Sequence, residues 1–152
     1  MREYNKLDNL FGPVGRFAGL FLLAAGIVIT LYSLSGLIIM VSGALFAFTS
    51  SGTIIDYDKK KIKFSTNLFG IIPTGKWMEI EPVMKIGIKE SRKVWRTYSR
   101  SNRTLDIPDH DFRLILYDSA DKPLIPVRKT GTLDAAKTEQ QKISNQLGIG
   151  LI

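Results

Sequence analysis

Apolar and polar positions follow three patterns along this chain. From Phe17 to Thr49 no charged residue interrupts a run of 33 mostly apolar positions. From Gly52 onward apolar and polar residues alternate in short stretches, the period of β-strands. From Thr132 to Leu147 the apolar spacing lengthens to three and four residues, the period of a helix with one buried stripe.

As a single helix the apolar run would measure about 50 Å, against about 30 Å for the hydrocarbon core of a bilayer. Tyr32-Ser33-Leu34-Ser35-Gly36 breaks it near the middle. The pattern therefore predicts a membrane α-helical hairpin over residues 13–50. Its first helix runs from Pro13, a residue suited to a first helical turn, to about Ser33. Its second runs from Gly36 to about Ser50 and is short for a crossing, so a full span and a re-entrant segment both stay open. Sixteen residues precede the run, which is longer than the apolar part of a secretory signal, so cleavage is not expected. Gly15, Gly19 and Gly26 on the first helix and Gly43 and Ala47 on the second are small enough to let two helices approach closely. Packing of the two helices on each other is the plain use of those residues; docking of another membrane protein is the alternative.

Residues 1–12 read as a flank and residues 51–152 as a separate domain. Seven strands are expected there: 53–57, 61–65, 76–80, 84–89, 93–98, 112–117 and 123–128. Residues 67–73 and Asp109-His110-Asp111 read as loops. Pro123 and Pro126 favour an edge position for the last strand. Thr132 is the expected N-cap of the closing helix, Leu133, Ala136, Gln140, Ile143 and Leu147 its buried stripe, and Gly148 its stop. The fold class is thus α+β: a seven-stranded antiparallel bent sheet or partial barrel capped by a C-terminal helix.

That element order resembles the pleckstrin-homology superfold. The whole arrangement resembles small bacterial membrane proteins with two N-terminal transmembrane helices and a PH-like domain. Gly52-Thr53-Ile54-Ile55-Asp56-Tyr57, Phe69-Gly70 with Gly75-Lys76-Trp77, residues 99–104 (Ser-Arg-Ser-Asn-Arg-Thr) and the final helix carry the resemblance. It implies an interaction module at a bacterial inner membrane. PH domains that bind phosphoinositides use a basic first hairpin. The matching Asp58-Lys59-Lys60-Lys61-Ile62-Lys63 has the lysines but no arginine at the alternate position, and Asp56 and Asp58 offset them.

Charge adds a direction. The chain carries 21 Lys and Arg against 14 Asp and Glu, a net +7. The turn at 32–36 has no Lys or Arg while both flanks do. The positive-inside rule then predicts a multi-pass protein with both termini and the PH-like domain in the cytoplasm. An apolar run without ionisable residues does not suit an ion or proton pathway.

Candidate chemistry is sparse. There is no cysteine, which removes thiolate metal sites and a cysteine nucleophile. His110 lies between two aspartates, but neighbours on an extended chain point to opposite faces. No nucleophile–base set can be named, so no enzyme activity, cofactor or metal is expected. The remaining feature is the basic segment 85–104, with seven cations against Glu90 alone. Lys89, Arg92, Lys93, Trp95, Arg96, Tyr98, Arg100 and Arg103 are its candidate contact residues. Three uses stay open: a solvated hairpin, contact with an anionic lipid surface, and contact with an acidic protein. Nucleic acid is not expected. Trp77 is expected to pack in the core or at an interface. The reading is a non-catalytic, membrane-anchored interaction module, an accessory or scaffold subunit of a membrane assembly, with anionic-lipid sensing through 85–104 as the alternative.

Overall fold

Each helix forms where the local chemistry allows it. The computed structural model describes residues 1–101 and 103–152; Asn102, one of the residues carrying the resemblance, lies outside them. The elements in order are β1 (Arg2–Asn9), α1 (Gly12–Thr30), α2 (Ser35–Phe48), β2 (Ser50–Asp56), β3 (Lys61–Leu68) and β4 (Ile72–Thr74), then β5 (Trp77–Glu79), β6 (Lys85–Tyr98), β7 (Thr104–Tyr117), β8 (Pro123–Thr130), α3 (Leu133–Leu147) and β9 (Gly150–Leu151). Pro13 stands in the first turn of α1. The Thr132 hydroxyl accepts a hydrogen bond from the Ala135 amide, and Gly148 ends α3 in the left-handed conformation, φ 70°.

The class is α+β, with curled sheets that include a half-barrel. One sheet has the order β1-β2-β3-β4, with β5 also on β3; the other runs β8-β7-β6-β9. Nine strands stand where seven are expected among the described residues. Residues 2–9, read as a flank, form β1, where Asn5 and Leu7 are buried. The expected loop 67–73 takes in the end of β3 and the start of β4, which turns back on β3 through Phe69 and Gly70, both at positive φ. The expected strands 84–89 and 93–98 are one strand of 14 residues, and 109–111 lies inside another of 14. β9 pairs parallel with the start of β6. β8 is an edge strand, as its prolines predict.

The chain divides into two compact units. The first holds residues 1–7, 52–65 and 75–152. Its core gathers Ile55, Ile62, Ile86, Leu114, Leu116 and Ile143. Met84 and Ile86 are buried and Ile88 packs on the core, as the alternation predicts. On α3 the stripe holds for Ala136, Gln140, Ile143 and Leu147, whereas Leu133 is exposed. Gln140 is the polar member of that stripe for a reason. Its Nε2 donates to the Ile86 carbonyl at 2.7 Å and to the Ile152 carbonyl at 3.3 Å, tying α3 to β6 and the chain end. Gln140→Leu removes that bond while the Ile86 carbonyl keeps the Ile152 amide at 3.1 Å, and is expected to cost about 0.5–1.5 kcal/mol. Denaturant unfolding of the full chain in detergent measures it. The neighbouring exposed Gln141→Leu is expected to stay within about 0.5 kcal/mol.

The second unit holds residues 8–51 and 66–74. Here α1 and α2 pack on each other through glycines. A Cβ on Gly19 would collide with the backbone of Phe46 and Ala47, on Gly26 with Met40, on Gly36 with Ile29 and Thr30, and on Gly43 with Leu22 and Leu23. Ala47 is buried beside Gly19. Gly15 faces Phe11 of its own chain segment instead. These pairings run in opposite order along the two helices, so the helices are antiparallel.

Among the described residues only α1 is long and apolar enough to cross a membrane. α2 has 14 residues, about 21 Å of helix, well short of a hydrocarbon core. The expected multi-pass inner-membrane arrangement is therefore corrected. At about 50 Å the apolar run falls short of two full crossings, and with the break near its middle α2 is left too short to span.

Candidate functional site

The basic segment 85–104 folds back on its own acids. β6 and β7 pair antiparallel from Lys85↔Tyr117 to Tyr98↔Thr104. β8 covers β7 only over Phe112–Tyr117, and β9 covers β6 only over Lys85 and Ile86. Between Lys89 and Asp111 the hairpin is thus a two-stranded ribbon whose outer edges carry no ladder partner among the described residues.

Pairing places the candidate residues on two faces. Lys89, Lys93 and Trp95 share one face with Arg113, Asp109 and Ile107; Arg92, Arg96 and Tyr98 share the other with His110, Asp106 and Thr104. The charge of the segment is offset by this register. Arg96 holds Asp106 with two hydrogen bonds, 2.8 and 2.9 Å. That contact lowers the Asp106 pKa and raises that of Arg96. Arg92 and His110 both stand on Glu90, the latter at 2.6 Å. Burial alone would raise Glu90, but hydrogen bonds from Arg92 and His110 and their charges bring it below the usual range. The Lys93 ammonium lies 4.2 Å from the Trp95 ring centroid. Arg100 and Arg103 flank the tip, where the Ser99 amide donates to the Arg103 carbonyl at 2.9 Å. Those two and Lys89 have no ion pair among the described residues.

At the ribbon root sits Asp111, 1 % exposed. Arg113 donates to it at 2.7 and 3.0 Å, and the Lys129 ammonium stands 3.0 Å away and 2.8 Å from Asp109. Burial pushes the Asp111 carboxyl up, but these cations outweigh it and hold the pKa below the ordinary 3.8. Beside this ladder a cleft of about 440 Å³ is lined by Lys89, Arg92 and Arg113 together with the apolar Ile115, Leu124 and Ile125.

Sequence reasoning missed Asp106, Asp109 and Asp111 as part of the site, because they lie beyond the basic stretch. One signal could have found them. Arg96 and Asp106, and Lys93 and Asp109, stand equally far from residue 101, so a turn there brings each pair opposite.

No family model, curated protein or solved structure matches the chain.

The other place where the PH resemblance points is the first hairpin. There a cleft of about 210 Å³ is lined by Arg2, Asp56, Lys59, Lys61 and Trp77. Arg2 arrives from β1 and donates to Asp56 at 2.8 Å, which lowers the Asp56 pKa. Lys61 pairs with Glu79 at 3.0 Å. Arg2 and Lys61 are thus matched by acids, whereas Lys59 has no ion pair among the described residues. Trp77 is 42 % exposed, with Arg2 and Lys63 5.7 and 5.9 Å from its ring centroid, so of the two expected placements it is not in the core.

Proposed function

We propose that this chain is a non-catalytic PH-like interaction module, anchored to a membrane by its apolar helices and serving as an accessory or scaffold subunit of a membrane assembly. The β6–β7 ribbon is the observation that carries the reading. A two-stranded ribbon is marginally stable alone in water, and unpaired strand edges are templates for pairing with another chain. This one leaves Val94, Tyr98 and Leu105 52 %, 66 % and 58 % exposed. Exposed apolar side chains on a ribbon with open edges suit a surface completed by a partner. The strand-then-helix order and the wide apolar exposure of α1 support the PH-like and membrane-anchored parts of the reading.

The test is affinity capture of the full chain from native membranes in mild detergent. A specific partner is expected, with recovery lowered at least about tenfold, roughly 1.4 kcal/mol, by Tyr98→Ser combined with Leu105→Ser. Capture of the bare protein alone, or equal recovery with the double variant, overturns the reading. A second reading, contact of the tip with anionic lipid, is favoured by Arg100 and Arg103, which have no ion pair among the described residues. In that case slowed amide exchange at the tip in anionic but not neutral nanodiscs is lost on Arg100→Glu with Arg103→Glu.

A further inference from the structure

We infer that α1 and α2 enter a bilayer together from one face and stop inside it, with Arg16 at the level of the lipid phosphates. The inference rests on the membrane-anchored reading above and adds its depth and sidedness.

Four observations within the second unit carry it. The first is where the chain enters and leaves. The Leu10 amide donates to the Thr49 carbonyl at 3.1 Å, so the start of α1 and the end of α2 lie together. The second is a length measured from a charge. Arg16 is the only charged residue on either helix, it is exposed, and it has no ion pair among the described residues. A guanidinium is held near the headgroups because the hydrocarbon excludes its charge. From Arg16 to Thr30 the helix rises about 21 Å, short of the roughly 30 Å needed to reach the far side.

The third observation is the tip. Leu31, Tyr32 and Leu34 are 79 %, 87 % and 80 % exposed, and no charge marks a far-side headgroup level. The Ser33 and Ser35 hydroxyls bond each other at 2.9 Å, and the Ser35 amide donates to Ser33 Oγ. The Ser33 and Ser35 hydroxyls therefore partner each other, which lowers the cost of carrying these two side chains into the bilayer. The fourth is the rim. A cleft of about 420 Å³ is lined by Asn9, Pro13, Arg16, Phe17 and Leu20. Its lining suits a lipid whose phosphate meets Arg16 while an acyl chain follows Phe17 and Leu20. At the same end the β3–β4 turn sets Gly70 against Phe48 and leaves Ile71 and Ile72 exposed, an apolar edge to sink below the headgroups.

The chain has no cysteine, so Ser33→Cys and, in a second variant, Ser35→Cys each give a single thiol at the tip. The full chain carrying either is reconstituted in vesicles of phosphatidylcholine and phosphatidylglycerol. A membrane-impermeant maleimide is then supplied outside, or on both sides by freeze–thaw loading. Labelling at least about tenfold slower than after detergent is expected on both sides, while a Ser99→Cys control labels freely from the side its domain occupies. Labelling of the tip thiol from the side opposite that control means a crossing and overturns the inference. Labelling from the same side means a tip outside lipid and overturns it too. Retention after alkaline extraction separates the two layers. A chain that washes off removes the membrane-anchored reading itself, whereas a retained chain with a reactive tip thiol removes only the one-sided insertion.

Discussion

Asp111→Ala is expected to destabilise the sheet unit by about 3 kcal/mol, the low end of the cost of removing one member of a buried ion pair. The carboxylate is almost wholly buried at the root of the ribbon, and Arg113 grips it with two hydrogen bonds. Removing it takes away two hydrogen bonds of a mostly buried guanidinium. Lys129 retains Asp109, which keeps the loss at the low end. Denaturant unfolding in detergent, followed by tryptophan fluorescence, measures the change. The pH dependence is distinctive. Asp111 has a folded pKa below the ordinary 3.8, so its contribution is complete above that value, where both states are ionised. As pH falls through 3.8 the unfolded chain takes up a proton first, and the contribution fades until the folded carboxyl is also protonated. The difference between wild type and variant should therefore be large and flat near neutrality and shrink below about pH 4. Asp56, Asp106 and Glu90 are also lowered and shape the acid limb of both proteins, which is why the difference is the informative quantity. A difference that does not change between neutral and acid pH would show that packing, not charge, holds the ribbon root.

The same ladder explains what was legible in the sequence. Where a strand has one buried face, alternation reveals it: Met84, Ile86 and Ile88 mark the first half of β6, and Leu114 and Leu116 the second half of β7. Beyond the core the two strands continue as a ribbon with neither face fully covered, so the alternation fades and the continuous strands read as fragments and loops. β1 fails for a related reason. Its inward positions are Asn5 and Leu7, and a buried asparagine breaks the apolar pattern. α3 was readable because a cap, a stripe and a glycine stop agree, and its one polar member is explained by a carbonyl on β6 that no local pattern foretells. At the candidate site the basic residues were legible as a composition. Their partners were not, since pairing across a hairpin joins residues ten or more positions apart. The apolar run was more legible: the break at 32–36 and a short second helix were expected, and the helices have 19 and 14 residues.

Gly43→Leu is expected to separate α1 from α2, at a cost at or above about 3 kcal/mol, the upper end of overpacking penalties. A Cβ at this position would overlap the Leu23 nitrogen, the Leu22 carbonyl carbon and the Gly19 oxygen. All three are backbone atoms of α1, so no side-chain rotation relieves the clash and the helices must move apart. In lipid there is little hydrophobic force to push them together again, because acyl chains solvate the new leucine as well as a helix does. Gly26→Leu should act alike, since its Cβ would meet the Met40 backbone. Gly131→Ala is the control: nothing lies within 4 Å of a Cβ there, and it should be near neutral. Amide exchange of residues 12–48 in lipid nanodiscs measures the outcome. Wild type and Gly131→Ala should share slow exchange on the packed faces of both helices, and Gly43→Leu should lose it, α2 first because 14 residues make a marginal helix alone. Unchanged protection in Gly43→Leu would mean that the two helices do not hold each other through their glycines. The shorter helix would then owe its place in the membrane to lipid alone, and the depth measured from Arg16 would apply to α1 without binding α2 to it.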